Sequence, residues 1–405
     1  MSLYDDLLKA GEAPAPKDFR PGVTYAGRDL LGARINTDAI PPVETEEEWE
    51  QAVRDMGIHI PDGYTLRLVR AELAGSSSEA AWHRDPADKG EQHTAYTAPA
   101  KIMRWRYQFE VVLKDSRADE DFAALMKEAK RAARGRPLAP RTGGCMVIAL
   151  ADFQAGKVSV LGGTPELLER SEVALRMKLE EIRRLRPASI VLADIGDSIE
   201  GFFSAPGAAR SNDLQVTEQV RVWRRIFWRW VEAVAKLTDD LTVLSVPSNH
   251  CEAARSGKAR LGPVSDDWGL EVLSQVADLA AVNPTAYGHV KFVVPREYDE
   301  HVTLTIGGTV ATFAHGHQER NVKMMGAWVK KHGRGEIGQS DLVLVGHHHH
   351  LRVEALGQRQ FLFVAPTNDN GSDWFTPKSG ENSGPGVLSF VTEGGHWRDL
   401  HVAWT

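Results

Sequence analysis

From residue 145 onward, short apolar runs alternate with longer amphipathic ones. "CMVIALAD", "ASIVLADIGD" and "LTVLSVPSNH" are brief, nearly continuous apolar stretches and read as buried strands. Between them, "TPELLERSEVALRMKLEEIRRLR" and "QVTEQVRVWRRIFWRWVEAVAKL" space their apolar residues as helices do. Strand and helix in strict alternation predict a layered α/β fold. After about residue 288 the chain turns strand-rich, with "HVKFVVP", "HVTLTIGGTVATFAHGH", "DLVLVGHHHH", "LRVEAL" and "QFLFVAP". No fixed-period repeat is present.

Upstream the pattern differs. Residues 1 to about 40 are rich in Pro, Gly and Ala and show no periodicity. "ETEEEWEQAVRDMG" predicts a helix with Thr45 and Glu48 as a capping box. "YTLRLVRAEL" and "MRWRYQFEVVLK" alternate as strands, and the polar "GSSSEAAWHRDPADKGEQHTAYT" between them reads as a loop or hairpin excursion. We therefore expect an N-terminal α+β accessory module over 1–115, a helix and basic linker over 116–144, and the domain that carries the chemistry over 145–405. The linker reads as a solvated tether, or alternatively as a contact to a phosphate backbone.

Composition narrows this picture only a little. The 405 residues carry a net charge of -7, which excludes a uniformly basic nucleic-acid coat but leaves room for a local basic groove. The two cysteines, Cys145 and Cys251, suggest no disulfide framework. The start lacks a basic region followed by an apolar one, and no apolar run is long enough to span a bilayer. A cytoplasmic protein with no membrane association is expected.

The chemistry gathers where predicted strands end. The first ends in Asp152, with Gln154 beyond it. The second ends in Asp197, the third in Asn249 and His250, a later one in His315, and another in the run His347 to His350. In α/β sheets ligands bind beyond the carboxyl ends of strands. Five such ends supplying Asp, Asn or His point to one shared metal site. Carboxylate, amide oxygen and imidazole without thiolate suit Mn, Fe, Zn or a similar divalent ion. Two such ions bridged by a carboxylate activate water and stabilise in-line displacement at phosphorus. Gly196 and Gly346 precede Asp197 and His347 and permit tight turns there.

The ordered set D-x-Q, GDxxE, NH, HGH and GHxH, over residues 145 to about 370, resembles the calcineurin-like metallophosphoesterase superfamily. Within it the chain looks most similar to SbcD-type exonucleases and their phage-encoded relatives. The resemblance implies a layered fold of two β-sheets flanked by helices, and a DNA nuclease using two divalent cations, Mn first, with Mg, Fe or Zn as alternatives. It also implies a partner ATPase, and a homodimer is a further expectation. Asp152 and His349 would bind the first metal, with Gln154 beside them. Asp197 would bridge both, and Asn249, His315 and His347 would bind the second. His250 would serve as the catalytic acid or stabilise charge at the scissile phosphate.

Three positions depart from that pattern. Gln154 stands where the family usually has His, which implies a weaker first-metal site or one that acts through a water. Glu200 replaces Asp in the second motif. Ser248 replaces Gly before Asn249, and Cys251 separates His250 from Glu252. His317 is expected at the surface or behind the ligands. If residues 347–349 are extended, His348 and His350 face away from His347 and His349. "VWRRIFWRW" reads as a core helix, with base stacking as the rival. The aromatic, basic stretch from Trp82 to Tyr107 reads as a loop that could touch DNA or a partner, and "NDNGSDWFTPKSGENSGPG" as a loop at the mouth of the site. A small-phosphoester hydrolase and a catalytically silent metal-binding module are the other two readings.

Overall fold

The structure is a computed structural model, and it describes residues 23–24, 34–41, 43, 45–58, 60, 64–79, 82–84, 94–96, 100–113, 118–202, 212–256, 259–371 and 384–405. The expected unstructured start, most of the hairpin excursion near 85–93 and the bulk of the Gly/Asn/Ser-rich stretch at 372–383 lie outside the described residues. The chain falls into two compact units, one within residues 12–116 and one over residues 117–405.

The first unit contains β1 (Val23–Thr24), β2 (Arg34–Asn36), α1 (Glu46–Asp55), β3 (Tyr64–Glu79), β4 (Trp82–Arg84), β5 (Thr94–Tyr96) and β6 (Ala100–Leu113). Its main sheet runs β1-β2-β6-β3, all antiparallel. Thr45 caps α1 as expected. Its hydroxyl accepts from the Glu48 N–H at 3.3 Å, and the Glu48 carboxylate accepts from the Thr45 N–H at 3.0 Å. Part of the stretch expected as a loop is strand: β3 continues through Gly75–Glu79, paired with Ala100–Arg104 across a bulge at Leu73–Gly75. The ladder is carried by the backbone, so polar side chains do not end it.

In chain order the second unit begins with α2 (Ala118–Arg131), β7 (Cys145–Leu150), α3 (Thr164–Leu185), β8 (Ser189–Asp194), α4 (Val216–Ala235) and β9 (Leu241–Ser245). A short hairpin, β10 (Arg255–Ser256) and β11 (Ala259–Arg260), leads to α5 (Trp268–Ala281), α6 (Pro284–Tyr287) and β12 (Val290–Val293). Then come β13 (His301–Ile306), β14 (Thr309–Ala314), α7 (Met325–Lys331), α8 (Glu336–Gln339) and β15 (Leu342–Val345). The chain closes with β16 (Arg352–Ala355), β17 (Phe361–Val364), β18 (Gly386–Glu393) and β19 (His396–Trp404).

These strands form two sheets, ordered β12-β9-β8-β7-β18-β19 and β13-β14-β15-β17-β16. The runs β12-β9-β8-β7 and β14-β15-β17 are parallel, so their carboxyl ends point the same way within each sheet. Between the sheets lies one apolar layer, including Val147, Ala149, Val191, Ala193 and Leu244 from the first and Phe313, Leu342, Leu344 and Phe363 from the second. Alternation sends Val343 and Val345 the other way, onto Met325, Trp328 and Val329 of α7. The result is a layered α/β fold of two sheets flanked by helices, as expected.

Helix α4 settles the reading of "VWRRIFWRW". Trp223, Phe227, Trp228 and Trp230 are buried, Trp223 stacks on Phe227 at 5.4 Å, and the Trp230 indole donates to Ser171 Oγ at 3.1 Å. These rings are core and do not stack on bases. Residues 132–144 lie along the body of this unit. Leu138 N–H bonds the Leu237 carbonyl at 3.0 Å, and Arg134 pairs with Asp239. Gly135 sits so close to Lys236 that a Cβ would meet its Cα at 2.2 Å.

Candidate metal centre

The parallel strands deliver the expected residues to one end of the sandwich. Beyond β7, the Asp152 N–H bonds the Gly196 carbonyl at 3.0 Å and the Gln154 N–H bonds the Asp197 carbonyl at 2.9 Å, tying the first turn to the second. Beyond β9, Ser248 Oγ accepts the Asp197 N–H at 2.8 Å, and the His250 N–H donates to Asp197 Oδ1 at 2.9 Å. The Ser where the resembled pattern has Gly therefore anchors the Asp197 turn. Beyond β14 and β15, His315 reaches Asp197 Oδ2 at 3.0 Å through Nε2, and the His347 N–H donates to Asp152 Oδ2 at 2.9 Å.

The backbone is bent to do this. Asp152, Gln154, Asp197, His347 and His349 all have positive φ, between 46° and 64°. Five of the seven such non-glycine residues among those described lie here, so the strain is concentrated at the site. This corrects the expectation of an extended His run. The division between His347/His349 and His348/His350 comes from two left-handed residues, not from strand alternation. Gly196 is required on both counts: its φ is +89°, and a Cβ would meet Ser248 Cβ at 2.6 Å and His315 Nδ1 at 2.8 Å. At Gly346 φ is not the reason; there a Cβ would meet Asp152 Oδ2 at 2.6 Å.

Asp197, His315 and His347 bring ligand atoms within 4.8 Å of one another, the one such trio of His, Cys, Asp or Glu among the described residues. Asn249 Oδ1 joins them, 3.1 Å from His315 Nε2. His315 Nδ1 faces the Ile195 carbonyl at 2.8 Å. A carbonyl only accepts, so the proton sits on Nδ1 and Nε2 is left as the ligating nitrogen. His347 Nδ1 is buried without a hydrogen-bond partner. An orphaned imidazole nitrogen beside a carboxylate and an amide oxygen is what a divalent-cation site requires, and these four side chains fit one.

The electrostatics agree. Burial would raise Asp197, but His315 and His250 hold it well below the usual carboxylate range. Burial would lower His250, but Asp197 and Glu200 outweigh it and raise the imidazole to about 9. Its Nδ1 donates to the Glu200 carbonyl at 2.7 Å, leaving Nε2–H toward the site. His347 is pushed well below the ordinary value by burial and by the neighbouring imidazoles. His348 is pushed down to about 3 by burial and His315 and packs edge-on to His347 at 5.1 Å. His350 turns back to the His348 carbonyl at 3.2 Å. His317 stands 3.7 Å from Glu300, its ring 5.6 Å from that of His315.

Around Asp152 the arrangement differs. His349 bridges two carboxylates, Nε2 to Asp152 Oδ1 at 3.2 Å and Nδ1 to Asp369 Oδ2 at 3.4 Å. Gln154 Oε1 accepts from Lys157 Nζ at 2.6 Å, and Lys157 also pairs with Asp369. Burial would depress the Lys157 ammonium, but Asp369, Glu200 and Asp152 outweigh it and raise it. Sequence reasoning missed both Lys157 and Asp369. Asp369 was findable, since it follows β17 as the other site residues follow their strands. Lys157 carried no signal of type or spacing. Asp369 and Asn370 are buried, so this start of the expected mouth loop belongs to the interior.

Gly196→Ala must move Ser248 or His315. We expect divalent-cation affinity about 10–100-fold weaker, read by titration calorimetry. Unchanged affinity would contradict the close packing described.

No family model matches the chain, and no curated protein does. Among solved structures, Vps29 of Chaetomium thermophilum is similar at 13% identity over 38% of this chain and 69% of its own, with a TM-score of 0.21. Phosphopantetheinyl hydrolase (PptH) from Mycobacterium tuberculosis is similar at 10% identity over 59% of this chain and 94% of its own, TM-score 0.24. GAP50, the anchor in the inner membrane complex of Plasmodium, is similar at 11% over 64% and 90%, TM-score 0.29. Likeness at this level carries no argument about activity; the site's own geometry does.

Proposed function

We propose that the chain is a metal-dependent phosphoesterase of the calcineurin-like superfamily that hydrolyses phosphodiester bonds, with DNA as its substrate. The observation that supports this most is the convergence of Asp152, Asp197, Asn249, His250, His315 and His347 from five strand ends onto one strained locus, with Asp152, Asp197 and His315 fully buried. Asp197, Asn249, His315 and His347 would hold a divalent cation, which would supply positive charge to phosphoryl oxygens and lower the pKa of water at the centre.

The chain's own residues do the rest. Asp197 fixes His250 through its backbone N–H and holds its imidazolium charged. The Glu200 carbonyl takes the Nδ1 proton, so Nε2–H is the proton available to a leaving oxygen. In the metal-free chain that imidazolium is held up to about 9, so it carries its proton at neutral pH.

The test is Mn-dependent digestion of labelled single- and double-stranded DNA, run beside a panel of nucleotides and cyclic nucleotides. Cleavage of the DNA supports the proposal. Turnover of nucleotides alone would replace it with the small-phosphoester reading, which the net charge of -7 favours. In the same assay, His347→Ala removes hydrolysis, whereas His350→Ala keeps most of it. Equal losses from both would refute the division between these two members of the His run.

A further inference from the structure

We infer that this centre holds one divalent cation, at Asp197, Asn249, His315 and His347, and that the Lys157 ammonium neutralises its Asp152 side permanently. The inference rests on the metal-centre reading above and departs from the two-cation expectation. Three observations carry it.

First, the ligand trio closes only on the Asp197 side; among the described residues no second trio forms around Asp152. Second, the donors expected for another cation are already engaged. Asp152 accepts the His347 N–H and stands 3.2 Å from His349, and the second nitrogen of His349 faces Asp369. Third, the oxygen of Gln154, at the position where an imidazole was expected, accepts from Lys157 Nζ at 2.6 Å. Lys157 is itself buried and paired with Asp369.

An amide oxygen bound to an ammonium must give that partner up before it can ligate a metal. The incoming dication would also meet a fixed positive charge at contact, in a region where water screens little. The replacement of His by Gln and the placement of Lys157 thus form one device. Gln154 accepts a hydrogen bond from the ammonium, and Lys157 pairs with the Asp369 carboxylate. The consequence is asymmetric charge: a removable dication on one side and a built-in monocation on the other.

Metal analysis and Mn(II) electron paramagnetic resonance on the full chain test this. We expect one Mn per chain after dialysis, with the hyperfine pattern of an isolated ion, and its loss in Asp197→Asn. We expect the double variant Gln154→His/Lys157→Ala to take up a second Mn and to show the spectrum of an exchange-coupled pair. Two tightly held Mn in the unaltered chain would overturn the inference and leave the phosphoesterase proposal standing. A folded double variant that still binds only one would overturn the role given to Lys157. No Mn bound to the unaltered chain would overturn the metal-centre reading and this inference together.

Discussion

Asp197→Asn lowers kcat/KM for the phosphodiester substrate by at least about 10³-fold while leaving the fold intact. The substitution conserves shape. An amide oxygen can still accept the His250 N–H now bonded to Oδ1 at 2.9 Å, and the Asp197 N–H to Ser248 is untouched. What goes is the negative charge, and three functions depend on it. The ligand trio with His315 and His347 loses its only carboxylate. His315, whose Nε2 sits 3.0 Å from that carboxylate, loses the anionic group beside it. His250 loses its largest upward influence, so its imidazolium is lowered. The measurements are kcat/KM across pH at saturating Mn, together with the thermal midpoint. A variant with near-normal activity and an unchanged pH profile would remove Asp197 from the centre. A variant that loses activity only because it unfolds would show in the midpoint.

How much of this was legible in the sequence follows from where each contact is encoded. The parallel strands were readable because buried strands write themselves as short apolar runs, and their ends then located Asp152, Asp197, Asn249, His315 and His347. The capping box of α1 was readable because Thr45 and Glu48 are three residues apart and bond locally. The His run was harder. Strand alternation gave a sensible partition for the wrong reason, since the turn is made by left-handed residues at His347 and His349. Nothing in a one-dimensional pattern marks a non-glycine residue that tertiary bonds will hold at positive φ. Lys157 was illegible for a related cause. Its partner Asp369 lies 212 positions away, and only folding shows that an ammonium reaches the Gln154 amide oxygen in the Asp152 turn. Ser248 looked like a blemish in a motif and is the hydroxyl that accepts the Asp197 N–H.

Lys178→Met destabilises the chain by about 3–5 kcal/mol, the largest stability effect we expect, and a second substitution reverses it. Lys178 lies on α3, fully buried, with Nζ bonded to Glu181 Oε2 at 3.0 Å, Ser389 Oγ at 2.6 Å and the His401 carbonyl at 3.1 Å. Removing the ammonium alone leaves the Glu181 carboxylate, only 4% exposed, without its buried cation. Burial of the pair is itself unfavourable: it pushes Lys178 down to about 8, outweighing the pull of Glu181. An apolar pair should therefore serve as well. Lys178→Met/Glu181→Leu returns stability to the unaltered level or above, with Ser389 still near the His401 carbonyl at 3.5 Å and the partly exposed His401 ring free to turn to water. The pH dependence has a definite sign. The folded value near 8 lies below the unfolded value of about 10.4, so the unfolded chain binds more protons between them. Stability from this group therefore rises with pH across that interval, and the full penalty applies below it. Urea midpoints at about pH 7 and about pH 10 check this. The double variant should lack the rise that the unaltered chain shows, and an equal rise in both would place its origin outside Lys178.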